Sequence, residues 1–336
     1  MPSDAPVGGY VVSASLNGHR RSYVELFSEM FDLKPMVGGA GRDQVMALVR
    51  APRVMFAMLD EHHLLFALVA LLRALCGRRT VALSLRLHRC VTGQGLIFRA
   101  KSIFFALLRW LPGLTVLTIS SFEHMPELRR YAHDCVIDPQ LWDLAETAPL
   151  ERRETDLSKA VADFAGSRKI LLVVGIMGAD KGIEFLGDFL ESDARPAASF
   201  ALAFVGAFSR GDTRSPARLR EAGAFVHDGY ISDEDLLSLY GVADCVWSCY
   251  APAYDQPSGV FGRSVQFGVR ALVREGSAID HFAQAHGLCV APIAYGSLPS
   301  LAGALESACE KPRGQRPDAL INLWRNDFAQ RVSQAL

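Results

Sequence analysis

Short runs that are apolar at successive positions recur along the chain, each followed by a polar break and then by apolar residues at helical spacing. In the first half the runs are YVVSAS (10–15), RVMFAML (53–59), TVALSLRL (80–87), LTVLTIS (114–120) and CVID (135–138). After a polar stretch come KILLVV (169–174), FALAFVG (200–206), AFVH (224–227), CVWSC (245–249), ALV (271–273) and CVAP (289–292). Unbroken apolar runs suit strands buried on both faces, as in parallel sheets covered by helices. Between them, DKGIEFLGDFLES places Ile183, Leu186, Phe189 and Leu190 on one helical face. In ISDEDLLSLYGVAD, Ser232 and Asp235 read as a capping box ahead of an apolar stripe. Strand and helix alternate in both halves, so each half is expected to be a doubly wound, Rossmann-like α/β domain. The charged stretch 145–167 reads as the linker. The expected division is an N-terminal domain over 1–150, a C-terminal domain over 168–320, and an amphipathic helix over 321–336 that ends the second domain or crosses back to the first.

Composition narrows the function. Half of the 336 residues are hydrophobic, too many for one ordinary core and comfortable for two. The formal net charge is −1, so no global basic field recruits nucleic acid, and the expected partner is a small molecule. Seven scattered cysteines with no CxxC spacing read as a reduced, cytoplasmic chain. The start MPSDAPVGGY lacks the basic region and the apolar run of a signal peptide. HLLFALVALLRALC is the most apolar segment, but an arginine interrupts it and it is too short to span a bilayer, so a buried helix is expected.

Candidate chemistry concentrates in the second half. YDQPSGVFGRSVQFGVRALV (254–273) sets a polar, glycine-punctuated turn and a helix start between two apolar runs. Glycines at a strand-to-helix junction let the backbone approach a ligand, and the free N–H groups of a helix start attract an anion, so a phosphate site is expected here. Upstream, LLVVGIMGADKGIEFL gives a strand, a glycine turn and Lys181-Gly182 opening a helix; FVGAF and then HDGYISDEDLLSLYGVADCVWSCY follow in order.

That series resembles the C-terminal half of GT-B glycosyltransferases of the retaining family-four type (glycosyl transferases group 1) over about residues 168 to 330, and covers the first half only weakly. The resemblance implies two Rossmann-like domains facing a cleft, and transfer of a sugar from a nucleotide diphosphate to an acceptor hydroxyl with retention, in polysaccharide or glycoconjugate synthesis. In the family's usual account the leaving phosphate helps take the acceptor proton. The chain departs from the pattern in three places. Asp255 and Arg263 occupy the two glutamate positions of the E-x7-E motif, Ile176 and Met177 stand where an arginine usually precedes Lys181, and Arg270 replaces a proline.

Negative charge grows on a departing diphosphate, and preorganised cations and helix N–H groups stabilise it. Lys181, Arg263 and the Ser258-Gly259 backbone are assigned to this work, and Asp255 to sugar hydroxyls. By resemblance, Gly229, Tyr230 and Ile231 lie against the nucleotide base, and His88, at the carboxyl end of the LSLRLHRC strand, stands next to the reacting sugar. Gly18, His19 and Arg20 form the loop after the first strand, which in this fold faces the cleft. Blander readings stay open: Lys181 as a solvated lysine, Arg263 as a surface residue paired with a neighbour, Asp255 as a turn cap, His88 as a core histidine and Asn17-Gly18 as a plain turn. Asp60 in DEHH could face the ligand or cap the following helix.

No metal and no cofactor beyond the nucleotide-sugar co-substrate is expected. The D-x-D in SDEDLL falls in a helix first turn, and His62-His63 lacks the spacing of a metal pair. IFRAKSIFFALLRWLPG mixes Arg99, Lys101 and Arg109 with large apolar residues. Such a helix can lie on a membrane surface, which would suit a lipid-linked rather than a free carbohydrate acceptor and place the chain at the inner membrane face; it also fits a packed helix with a basic edge. Two other functions stay open, a non-catalytic GT-B-like nucleotide- or partner-binding subunit and a GT-B nucleotide-sugar epimerase. Hydride transfer is disfavoured because no G-x-G-x-x-G follows the first strand.

Overall fold

The structure is a computed structural model that describes residues 8–16, 19–38, 41–145, 154–193, 199–209, 211–212, 214–310 and 313–336, without the side chains of His19, Glu61 and Cys309. The chain divides into two units, Met1–Pro139 with Leu323–Leu336, and Gln140–Asn322.

In the first unit, strands β1 (Tyr10–Ser13), β2 (Lys34–Val37), β3 (Val54–Phe56), β4 (Thr80–Ser84), β5 (Leu114–Thr118) and β6 (Asp134–Cys135) form one parallel sheet in the order β2-β1-β3-β4-β5-β6. Strand β2 has no counterpart in the apolar runs. It is a largely exposed edge strand carrying Pro35, so nothing in its pattern marks burial. The connecting helices are α1 (His19–Phe31), α2 (Arg42–Arg50), α3 (His63–Leu75), α4 (Arg89–Thr92) and α5 (Leu96–Leu108). Parallel crossovers are right-handed, so the step from β1 to β2 puts α1 on one face, while the opposite steps to β3, β4 and β5 put α2, α3 and α5 on the other. Leu48 of α2, Phe66 and Val69 of α3 and Phe105 of α5 accordingly share a core with Val54 and Phe56 of β3. On the α1 side, Phe27 stacks on Phe328 of the last helix, with ring centroids 5.3 Å apart.

Helix α3 is not the fully buried helix its composition suggests. Leu65, Phe66, Val69 and Ala70 are buried, while Leu64, Leu68, Leu71 and Leu75 face outward. It also carries Arg73, which is fully buried.

The second unit contains α6 (Asp156–Ala165), β7 (Lys169–Val174), α7 (Ile183–Glu191), β8 (Phe200–Gly206), α8 (Arg214–Glu221), β9 (Phe225–Asp228), α9 (Asp233–Val242), β10 (Cys245–Ser248), α10 (Gly259–Gln266), β11 (Arg270–Arg274), α11 (Ala278–Ala285), β12 (Val290–Ile293), α12 (Leu298–Glu310) and the start of α13 (Asp318–Ala335). Its parallel sheet runs β12-β11-β10-β7-β8-β9, the doubly wound order that reverses between β7 and β10. Alternation along β7 serves two cores: Leu171 and Val173 join one, Ile170, Leu172 and Val174 the other.

The stretch read as a linker holds a helix. Thr155 caps α6 through a reciprocal pair with Ser158, and Val161 and Ala165 pack under β8 and α9. The charges of that stretch had masked an apolar stripe in which partly buried Leu157 and Phe164 join Val161 and Ala165.

Arg73 offers a test of the first core. Its guanidinium donates to the Leu48 and Ala51 carbonyls at 2.6 Å and to Thr80 Oγ1 at 3.0 Å. Arg73→Met strands these buried acceptors and should lower the unfolding free energy by about 3 kcal/mol. Chemical denaturation showing a loss below about 1 kcal/mol would mean that water replaces the guanidinium.

Candidate functional site

The reversal of strand order sets the carboxyl ends of β7 and β10 side by side, the position where open α/β sheets bind ligands. From β7 the chain reaches a 3-10 turn, Ala179–Lys181, and enters α7 through Gly182 at φ +70°. A side chain at Gly182 would be strained, and its Cβ would stand 3.2 Å from the Cys249 carbonyl. Two bonds stitch this turn to β10 and the loop after it. The Trp247 indole N–H donates to the Lys181 carbonyl at 2.7 Å, and the Ala251 N–H donates to the Asp180 carbonyl at 3.0 Å.

Side chains continue the stitch. The Lys181 ammonium lies 4.1 Å from the centroid of the Tyr250 ring, within cation–π range. Tyr250 is buried, and its hydroxyl is 2.6 Å from Ser258 Oγ. Ser258 is the N-cap residue of α10, yet its side chain makes no capping bond to that helix. The opening N–H groups of α10 have no partner within the helix and look to acceptors outside it, and the Gln140 side-chain oxygen stands against Gly259 at this end. Thus Lys181 and Ser258 meet through Tyr250, which sequence reasoning passed over. Its signal was its place, directly beyond an apolar strand on the ligand-binding edge. Tyr254 packs edge-on to Tyr250 at 5.2 Å, and burial raises its hydroxyl pKa.

Arg263 is paired with a carboxylate within the second unit. It lies a full turn beyond the start of α10 and forms a bidentate pair with Asp143, one arm at 2.7 Å. Gln266, fully buried, donates to Asp143 and to the Gln140 carbonyl, both at 2.8 Å, and accepts from the Leu144 N–H. A Cβ at Gly262 would come within 2.5 Å of the Gln140 carbonyl oxygen, so glycine is what lets this face of α10 close on residues 140–144. Asp255 is likewise engaged: it pairs with Arg274 at 3.0 Å and accepts from the Ala278 N–H at 2.8 Å. Arg274 ends β11 on the same sheet edge and was not singled out from the sequence. Ile176 is exposed and Met177 is buried.

Gly229, Tyr230 and Ile231 follow β9 on that edge, with the Gly229 N–H on the Gly206 carbonyl and the Tyr230 ring exposed. In the first unit, Gly18 lies outside the described residues, as does the side chain of His19, whose backbone begins α1. Arg20 donates to Ser15 Oγ at 3.0 Å. Asp60 accepts from Ser84 Oγ and from the Leu85 N–H, both at 2.8 Å, tying the ends of β3 and β4 together. His88 follows β4, and its buried Nδ1 has no hydrogen-bond partner among the described residues. Burial, with Arg89 and Arg86 beside it, holds its pKa down at about 4.

No protein-family model matches the chain, and no curated protein matches it in sequence. Solved structures do. Anabaena HepE, in complex with UDP and glucose, superposes with a TM-score of 0.70 at 11% identity, over 97% of this chain and 99% of HepE. The chain has the GT-B fold. Sucrose-phosphate synthase from Thermosynechococcus elongatus shares it at a TM-score of 0.59 and 12% identity, over 97% of both chains. A Listeria monocytogenes protein assigned as a UDP-N-acetylglucosamine 2-epimerase does so at 0.52 and 10% identity, over 94% of both.

Within this GT-B chain, the described residues hold no group of His, Cys, Asp or Glu arranged to bind a metal ion, and no helix long and apolar enough to cross a membrane. His88 gives the sharpest titration. Because its folded pKa is depressed, the unfolded chain takes up the proton first. Its contribution to stability is complete above about pH 6.5 and is lost progressively as pH falls toward 4. An NMR titration should place the His88 midpoint close to 4. A midpoint at or above the free imidazole value of about 6.5 would contradict the buried, uncharged ring.

Proposed function

We propose that the chain is a glycosyltransferase that moves a sugar from a nucleotide diphosphate to an acceptor hydroxyl with retention, in polysaccharide or glycoconjugate synthesis. The observation that carries this reading is the joining of Lys181, Tyr250, Ser258 and the start of α10 at the reversal point of the second sheet. In the reaction the bond from the anomeric carbon to the terminal phosphate oxygen breaks, and the acceptor oxygen bonds to that carbon. The acceptor proton passes to the departing phosphate, so no strong protein base is needed. The diphosphate gains charge, and Lys181 with the N–H groups of α10 is placed to meet it. The Tyr250 face restrains the ammonium beforehand, which lowers the reorganisation needed as charge develops.

The other assignments follow the sheet edge. Neighbouring strands lie about 4.8 Å apart, so β9 stands roughly 10 Å from β7, room for a base at Gly229–Ile231 and a diphosphate at Lys181. Asp255, steadied by Arg274, would meet sugar hydroxyls; within the first unit, His88 with its unpartnered Nδ1 is the candidate for a polar contact to a sugar. Arg263 acts as a positioning residue that fixes α10 through Asp143 rather than as a diphosphate ligand. UDP is the first nucleotide to try, since it is bound in the HepE structure. The acceptor is a carbohydrate, free or lipid-linked.

A non-catalytic nucleotide-binding subunit is the second reading, favoured by the loss of the second motif glutamate to Arg263 and the pairing of that arginine with Asp143. The epimerase alternative draws on the Listeria similarity. Incubation with UDP-sugars separates the three: UDP release that rises with acceptor supports transfer, a change of sugar configuration supports epimerisation, and binding without turnover supports the subunit.

Calorimetry tests the site itself. Lys181→Ala should weaken UDP binding by about 1.5–3 kcal/mol and leave uridine binding unchanged. Arg263→Ala should lower thermal stability and change UDP affinity much less. Parental UDP affinity in Lys181→Ala would remove the diphosphate assignment. Because this reading meets phosphate charge with Lys181 and helix N–H groups, UDP binding should persist in EDTA; loss restored by manganese or magnesium would refute that part.

A further inference from the structure

We propose that the outward face of α3 and α5 is a docking surface for an anionic lipid bilayer, on which the first unit lies without inserting a span. The two helices cover the same face of the first sheet, so their outer sides look the same way. The His63 ring meets Phe104 edge-on at 6.2 Å and links them. Outward from α3 point Leu64, 74% exposed, and Leu75, 77% exposed, with Leu68 and Leu71 between them at helical spacing. From α5 and the residue pair after it point Leu96, Ile103, Leu107 and Trp110, all more than half exposed. Two adjacent stripes of large aliphatic side chains, one ending in a tryptophan, are far more than the scattered apolar exposure of an ordinary soluble surface.

Charge decides what covers this face. The whole chain carries a net charge of −1, yet every charged side chain from His62 to Phe122 is an arginine or a lysine, apart from the histidines. Arg99 is exposed on α5, Lys101 is partly exposed, and Arg109 lies 5.9 Å from the Trp110 ring. A second copy of this chain docking through the same patch would set cations against cations. Anionic headgroups instead pair with the cations while the leucines, Ile103 and Trp110 enter the acyl boundary, with the indole at headgroup level. This surface is independent of the transferase reading, because it lies wholly on the first unit and is measured without turnover.

The test sediments the full chain with vesicles at about 0.1 M NaCl. Vesicles holding about one-third phosphatidylglycerol in phosphatidylcholine should bind it at least about tenfold more tightly than pure phosphatidylcholine, and about 0.5 M NaCl should abolish most of that preference. Leu107→Glu with Trp110→Glu, and separately Leu64→Glu with Leu75→Glu, should each weaken binding about tenfold or more. Arg99→Gln with Lys101→Gln should remove the preference for anionic lipid. All these positions are on the surface, and an unchanged circular dichroism spectrum and melting midpoint confirm folding. Absence of binding to anionic vesicles, or parental binding by the folded glutamate variants, overturns the proposal. So does a parental dimer in solution that Leu107→Glu with Trp110→Glu converts to monomer, since the face would then belong to a second copy.

Discussion

The indole of Trp247 donates to the carbonyl of Lys181, and much of the second unit's candidate site depends on that bond. Trp247 is fully inside the core at the end of β10, so its N–H must find an acceptor, and the turn after β7 supplies one. The bond fixes the height of that turn above the sheet, and the contact of Gly182 with the Cys249 carbonyl fixes its depth. Once both are set, the Lys181 ammonium has the Tyr250 face beside it, and Tyr250 in turn reaches the cap of α10. A core side chain thus sets the position of a charge at the surface. A packing change near Trp247 would therefore reach Lys181 without touching it.

Helix α10 is held from its other side by different means. Gly262 allows backbone contact with Gln140, Gln266 takes up the polar groups of residues 140–144, and Arg263 adds a charge-assisted pair. Buried groups of this kind stabilise only while every partner is present. The direction of α10, and with it the direction of its opening N–H groups, is set by this polar network rather than by apolar packing alone.

The doubly wound fold was legible because its central strands are buried on both faces and so appear as continuous apolar runs; β7 and β8 are the clearest cases. Strand β2 was not legible, since an exposed edge with a proline carries no such signal. Nor was α6, whose charges interrupt the stripe of Leu157, Val161, Phe164 and Ala165. Among site residues, the nearness of Lys181 to Ser258 could be inferred from strand-end positions. Tyr250 and Arg274 could not be singled out, because an aromatic or a basic residue beside an apolar run has many ordinary roles. The Asp143 partner of Arg263 was out of reach for another reason. It lies 120 positions earlier in the chain, in a stretch with no motif of its own.

The close approach of Gly262 to Gln140 also bears on how the molecule can be dissected. A recombinant fragment cut to the second sheet alone, beginning near Lys169, would omit residues 140–144 together with α6. It would uncover the glycine face of α10, the Gln266 amide and the pocketed guanidinium of Arg263 all at once. Such a fragment would retain every strand of its sheet and still lose the support that aims the helix. A usable isolated second unit has to start upstream of Gln140, at a point in the sequence that carries none of the motifs associated with the domain.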